Sequence, residues 1–296
     1  MDTKAVTIPD LSGRTAVVTG ANSGLGLETT RVLARKGMRV VMAVRDEEKG
    51  RTAAKSVDGT TEVRPLDLAD LASVRAFAEG WDGPIHLLVN NAGVMALPRS
   101  YTADGFETQF GVNHLGHFAL TNLLLTHVTG RVVTVSSGLH RAVRGIDFDD
   151  PNLDSGYTPG RAYAQSKLAN LLFTLELQRR LEAAGSPVLA TAAHPGYAAT
   201  NLQSHAANPL ARALMAVGNR LIAQSGAVGA LPTIYAATQD VPGAAFAGPT
   251  KMGGTRGVPG LCSRSEAAWD SIAARRLWTV SEELTGVEFP DLARTD

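Results

Sequence analysis

The chain has a single cysteine, Cys262, in 296 residues, which excludes an internal disulfide framework. It carries no excess of charge: 28 lysines and arginines balance 28 aspartates and glutamates. Without an overall positive field, nucleic acid and anionic membrane surfaces are excluded as main partners. No apolar run reaches the roughly 18 residues that a membrane-crossing helix needs. The opening MDTKAVTIPD lacks the basic-then-apolar order of a secretory signal, so no membrane anchor and a cytoplasmic location are expected. Repeats, low-complexity tracts and Pro/Ser-rich linkers are absent, which argues against separate domains. HExxH, GxSxG and GxxxxGKS/T motifs are missing too, which removes the usual zinc proteases, serine hydrolases and nucleotide-triphosphate hydrolases.

Hydrophobic residues at 44% are enough for a substantial core in one large domain. Short apolar runs at Thr15 to Thr19, Arg39 to Val44, Ile85 to Val89, Arg131 to Val135 and Val188 to Ala192 read as buried strands. Weaker strands are expected near Thr61 to Pro65 and Ala244 to Ala247. Helical spacing lies between them, as in Leu168, Leu171, Leu172 and Leu175 running toward Gly185, a helix stop. The alternation predicts an α/β fold: a single-domain, Rossmann-like, doubly wound parallel sheet of about seven strands flanked by helices. Residues 1–13 read as a lead and 14–296 as the domain. The apolar stretch from Asn201 to Gly226 is longer than a usual connection and reads either as a substrate lid, spanning 197–226, or as an ordinary helix pair.

Three elements carry chemistry. After the first strand, Thr19-Gly20-Ala21-Asn22-Ser23-Gly24-Leu25-Gly26 leads into a helical stretch. Glycines there allow a pyrophosphate to approach the backbone, and the helix start offers free N–H groups; the bland reading is a tight turn. At the end of the second strand, Val44 is expected to face the adenosine ribose, followed by Arg45 and Asp46. Spacing from Gly26 makes Asp46 the acid of an NAD site. Arg45 with Lys49 instead places two cations where a 2′-phosphate would bind, and this NADP(H) reading is preferred, with NAD(H) as the other. Solvated loop charges are the third. Tyr163 and Lys167, four apart on a helix, share a face, where a neighbouring ammonium favours the phenolate and makes the tyrosine an acid or base near neutrality. The strand before them delivers Ser136 and Ser137 at its C-terminal end, where open α/β sheets place ligands, although serines there also serve as turn residues.

In order and spacing, TGANSGLG at 19–26, DL at 67–68, NNAG at 90–93, VNHLGHF at 112–118, VSS at 135–137, YAQSK at 163–167 and HPG at 194–196 resemble the short-chain dehydrogenase/reductase family. Within it, KMGGTRGVPG and ARRLWTVSEELTG look most like the tails of its retinol-dehydrogenase-like branch. The resemblance implies a catalytic tetrad of Asn113, Ser137, Tyr163 and Lys167. It implies a diphosphate site along Gly20, Asn22, Ser23, Gly24, Leu25 and Gly26, with Asp67 and Leu68 beside the adenine. Asn90, Ala92 and Gly93 would support the cofactor cleft, and Pro195, Gly196 and Thr200 would approach the nicotinamide side. Ser137, His140 and Tyr197 are the expected substrate contacts.

The expected activity is hydride transfer between NADP(H) and an apolar alcohol, ketone or aldehyde. The alternatives are a double-bond reductase and a dinucleotide-binding sensor without turnover. A metal is not expected: His114 and His117 lie three apart but lack further ligands. The resemblance leaves open a homodimer, a homotetramer or a monomer.

Overall fold

A computed structural model of the protein describes residues 6–196 and 226–292. Its strands are β1 (Thr15–Thr19), β2 (Arg39–Val44), β3 (Thr61–Pro65), β4 (Ile85–Asn90), β5 (Val128–Val135), β6 (Leu189–Ala193), β7 (Phe246–Lys251) and β8 (Arg256–Leu261). They form one sheet in the order β3-β2-β1-β4-β5-β6-β7-β8. The first seven pair in parallel, and β8 returns antiparallel to β7. β8 corrects the expectation of about seven strands. Its sequence RGVPGL holds two glycines and a proline, which suppress strand propensity, yet an edge strand tolerates them because one side makes no ladder bonds.

The helices are α1 (Gly24–Arg35), α2 (Glu47–Ala54), α3 (Leu71–Glu79), α4 (Thr108–Phe110), α5 (Gly116–Leu124), α6 (Pro159–Ala183), α7 (Gly226–Thr238) and α8 (Ser271–Thr285). A π-helical segment, Gly111–Leu115, joins α4 to α5. α6 starts where the Thr158 hydroxyl accepts from the Arg161 N–H and Pro159 occupies the first turn. It stops before Gly185, whose φ of +65° suits a glycine.

Alternate strand residues face opposite layers. Val40, Met42 and Val44 pack with Leu33 and Ala34 of α1, Ile234 of α7, and Val6, Ile8 and Leu11 of the lead. Val41 and Ala43 share the other core with Phe77 of α3, Phe118 and Leu124 of α5, Phe173 of α6 and Trp278 of α8. Strand order reverses between β1 and β4, the switch point where doubly wound sheets open a crevice at their carboxyl ends. The expected lid, with Tyr197 and Thr200, lies outside the described residues apart from Gly226. Among the described residues, no helix is long and apolar enough to cross a membrane.

Trp278 fastens α8 to this frame: it stacks on Phe173 at 5.7 Å, meets Phe118 edge-on at 4.9 Å and lies 4.4 Å beneath the Arg180 guanidinium. Trp278→Ala is expected to lower unfolding free energy by about 3–5 kcal/mol, as for other buried aromatics. Urea denaturation checks it; a loss under about 1 kcal/mol would mean that the ring bears little of the packing.

Candidate active site

A cleft of about 550 Å³ opens at the strand reversal. Of the expected cofactor residues, Gly20, Asn22, Ser23, Gly24, Leu25, Gly26, Arg45, Asp67, Leu68, Ala92 and Gly93 line it. Gly20 and Gly24 hold φ values of +64° and +53°, a conformation that favours glycine. At Gly26 a Cβ would lie 2.4 Å from the Gly20 carbonyl oxygen and 2.5 Å from Asn91 Nδ2, so only glycine lets α1 approach the turn. The start of α1 is also open. Side chains of Asp46, Asp70, Thr158 and Asp270 cap α2, α3, α6 and α8, whereas Ser23 makes no cap bond and the first turn of α1 has no acid. Its first N–H donors therefore have no side-chain acceptor among the described residues, which fits the diphosphate of a dinucleotide.

At the far end of the cleft, Ala43, Arg45, Asp46 and Lys49 form the wall. Val44 does not face the ribose as expected. It is buried in the opposite layer against Gly50, whose added Cβ would lie 2.7 Å from Val44 Cγ2. Residues two apart on an extended chain share a face, and Ala43 and Arg45 line the cleft instead. Asp46 accepts from the Lys49 N–H at 3.0 Å and pairs with Lys49 Nζ at 2.7 Å, and these hydrogen bonds hold its carboxyl below the ordinary range. Arg45 is exposed.

Behind the Gly93 wall of the cleft lies the carboxyl end of β5. Ser137 follows that strand, its Oγ accepting from the Leu139 N–H at 3.2 Å, and it lies near enough to Tyr163 to favour its phenolate. Lys167 Nζ donates to the Val135 carbonyl at 3.0 Å and lies 5.7 Å from the centre of the Tyr163 ring. Asn113, in the π-helical segment, holds Val94 through both backbone groups, accepting from its N–H at 2.8 Å and donating to its carbonyl at 2.9 Å. A Cβ on Gly93 would stand 3.1 Å from Asn113 Oδ1 and 3.4 Å from Lys167 Nζ. Through Gly93, the lysine and asparagine thus adjoin the cleft. Burial pushes the Tyr163 phenol up to about 12, against the opposing effect of Ser137, and pushes Lys167 down to about 8. The expected lowering of the tyrosine by its lysine neighbour is not among the causes, and burial sets the direction.

Other expected positions lie elsewhere. Asn90 is buried beneath the cleft and donates to Thr121 Oγ1 at 2.8 Å, a brace between β4 and α5. His140, expected beside the substrate, faces inward. It is fully buried, with Nδ1 engaging the Ser137 carbonyl at 2.7 Å and Nε2 accepting the Ser265 N–H at 3.2 Å. Pro195 follows β6, and Gly196 comes close to the β7–β8 connection, where a Cβ would meet the Thr255 carbonyl at 2.6 Å. Sequence reasoning missed the apolar rim of Val94, Met95, Leu97 and Val112, for which irregular loops give no periodic signal.

The short chain dehydrogenase pattern matches residues 14–149. Mouse polyprenol dehydrogenase is 43% identical over 308 residues, covering 96% of this chain and 88% of that protein. Human retinol dehydrogenase 13 is 42% identical, with 97% and 88% covered. The chain belongs to the short-chain dehydrogenase/reductase family. Its place is the retinol-dehydrogenase-like branch, whose members are oxidoreductases. A solved structure from Mycobacterium paratuberculosis shares 52% identity and a TM-score of 0.84 with this dehydrogenase/reductase, over 97% of this chain and 98% of that one.

Two measurements test the site. Gly26→Ala is expected to weaken dinucleotide binding about 10- to 100-fold, the equivalent of typical overpacking strain; a fluorescence titration showing unchanged affinity would contradict the close approach. Lys167 has a folded pKa of about 8 against an ordinary 10.5, so between these values the unfolded chain binds more protons and stability rises with pH. Below pH 8 that contribution is absent. Lys167→Met should remove this rise, read as the difference between wild-type and variant unfolding free energies across the window.

Proposed function

We propose that the protein is an NADP(H)-dependent oxidoreductase that interconverts an alcohol and a ketone or aldehyde on an apolar small molecule. The observation that carries this reading is the convergence of Lys167 and Asn113 on Gly93, at one wall of a cleft that the glycine turn also lines. The cofactor, when bound, gives or takes the hydride. At neutral pH the Tyr163 phenol is protonated, the form an acid requires, and it gives that proton to the substrate oxygen during reduction. Ser137 hydrogen-bonds the same oxygen and stabilises charge developing on it. Lys167 is mainly cationic at pH 7; it holds the cofactor ribose and favours negative charge on the tyrosine. Asn113 fixes the Gly93–Val94 floor beside the lysine.

Arg45 and Lys49 support the NADP(H) preference, because Asp46 is already occupied by the α2 cap and the Lys49 ammonium. Apolar substrates fit the rim of Val94, Met95, Leu97 and Val112, where a charged group would lose hydration without a partner. The names of the polyprenol and retinol relatives point the same way.

NADPH and NADH titrations followed by turnover of apolar ketones and aldehydes test the reading. Tyr163→Phe is expected to lower kcat about 10²- to 10⁴-fold, the usual worth of general acid–base catalysis, with NADPH affinity retained. Arg45→Ala is expected to weaken NADPH about 10- to 100-fold, the worth of a charged hydrogen bond, and to leave NADH unchanged. Equal NADPH and NADH affinity in the wild type would overturn the cofactor preference; full turnover by Tyr163→Phe would overturn the mechanism.

A further inference from the structure

We infer that His117 is a positioning residue: as an Nδ1-protonated imidazole it ties the segment carrying Asn113 to the end of β1 and to the Asn91–Gly93 loop. The inference rests on the proposed oxidoreductase reading for what is being positioned. His117 lies in the first turn of α5, four residues after Asn113, and is 1% exposed. The preceding π-helical register sends the Gly116 N–H five residues back, to the Gly111 carbonyl. In this distorted turn, His117 Nδ1 meets the Asn113 carbonyl at 3.1 Å, and Nε2 meets Thr19 Oγ1 at 2.9 Å.

The directions of these bonds follow from chemistry. A carbonyl only accepts, so Nδ1 carries the proton. In a neutral ring Nε2 then accepts, and the Thr19 hydroxyl donates to it. Thr19 Oγ1 in turn accepts from the N–H groups of Asn91 and Ala92, both at 2.9 Å. Its one proton could alternatively reach the Val89 carbonyl, at a longer 3.4 Å. Burial keeps the ring neutral by pushing its pKa down to about 4, with the Lys167 charge acting in the same sense and the Asn113 carbonyl opposing.

The chain continues on the other side. Asn113 Nδ2 donates to Ser166 Oγ at 2.9 Å, and that hydroxyl donates to the Tyr163 carbonyl at 2.8 Å. One connected set of bonds therefore spans β1, the floor loop, the π-helical segment and α6. Three of these four carry groups assigned to the cofactor or to proton transfer. A hydrophobic side chain at 117 would pack as well in this buried place but would leave the Thr19 hydroxyl and the Asn113 carbonyl without these partners.

Imidazole ¹⁵N NMR on the full-length protein, with His117 assigned by its loss in His117→Asn, reads the tautomer directly. A neutral, Nδ1-protonated ring is expected; an Nε2-protonated or cationic ring at pH 7 would overturn the assignment. His117→Phe is expected to lower kcat about ten-fold and weaken NADPH several-fold, within the coupling range of contacting polar groups. The KM of the carbonyl substrate should change less than two-fold. His117→Asn, which returns a donor near the position of Nδ1, should recover most of kcat. Thr19→Val combined with His117→Phe should cost no more than the worse single change. A His117→Phe variant that only melts earlier, with NADPH affinity and kcat intact, would show a merely structural role and sink the proposal. An inactive wild type with the expected tautomer and with NADPH affinity sensitive to His117→Phe would instead count against the oxidoreductase reading alone.

Discussion

A lysine ammonium buried against a main-chain carbonyl is the constraint around which this protein is arranged. Lys167 is 4% exposed and donates to Val135, and no carboxylate pairs with it among the described residues. Burial of an unpaired charge is costly, and the depressed pKa records that cost. The position therefore weakens the fold while serving the site. Its surroundings offset the strain by holding the lysine backbone rather than its charge. Ser136 Oγ donates to the Lys167 carbonyl at 2.7 Å, and Asn170 Nδ2 shares the Val135 carbonyl at 3.0 Å. β5 and α6 are thus locked together at the turn that presents Lys167 and Tyr163.

The same logic explains why buried polar groups cluster here. Thr19, Asn90, Asn113, His117, Thr121, Ser166 and Asn170 are all nearly inaccessible to solvent, and each has a partner with directional geometry. An apolar core of equal volume would be no less stable, but it would not fix the angle between the glycine turn, the floor loop and α6. Polar networks do so because each bond constrains direction as well as distance. The precision with which Asn113, Tyr163 and Lys167 are held beside the cleft comes from these bonds more than from the sheet alone.

Much of this was legible in the residues. Strands β1 and β2 match the apolar runs residue for residue, because parallel strands covered on both faces are continuous hydrophobic stretches bounded by polar turns. β8 was not legible: its glycines and Pro259 suppress the pattern that marks a strand, and pairing with β7 imposes the conformation from outside. Motif order located the glycine turn and the Tyr163–Lys167 face. It could not tell that His140 turns inward, since its burial depends on Ser265, 125 residues away. Asn90 likewise lies beneath the cleft, bracing β4 against α5. Motif membership places a residue near the cleft, whereas the strand pleat decides which layer its side chain enters.

The pleat also governs how the cofactor end of the cleft must be read. Counting from Gly26 reaches Asp46, and a spacing rule assigns it to a ribose diol. That rule presumes a free carboxylate. Here Asp46 lies just past β2 and caps α2, so one oxygen accepts the Lys49 N–H and the other pairs with the Lys49 ammonium. Binding a diol would mean competing with both bonds. Arg45, by contrast, shares the Ala43 face of the strand and has its guanidinium in solvent. An exposed cation at a strand end costs little in the free protein and gains most when a doubly charged phosphate approaches. The acid is engaged by the helix it caps and the arginine is not, so the proposed preference for NADP(H) rests on that difference in occupation rather than on residue spacing.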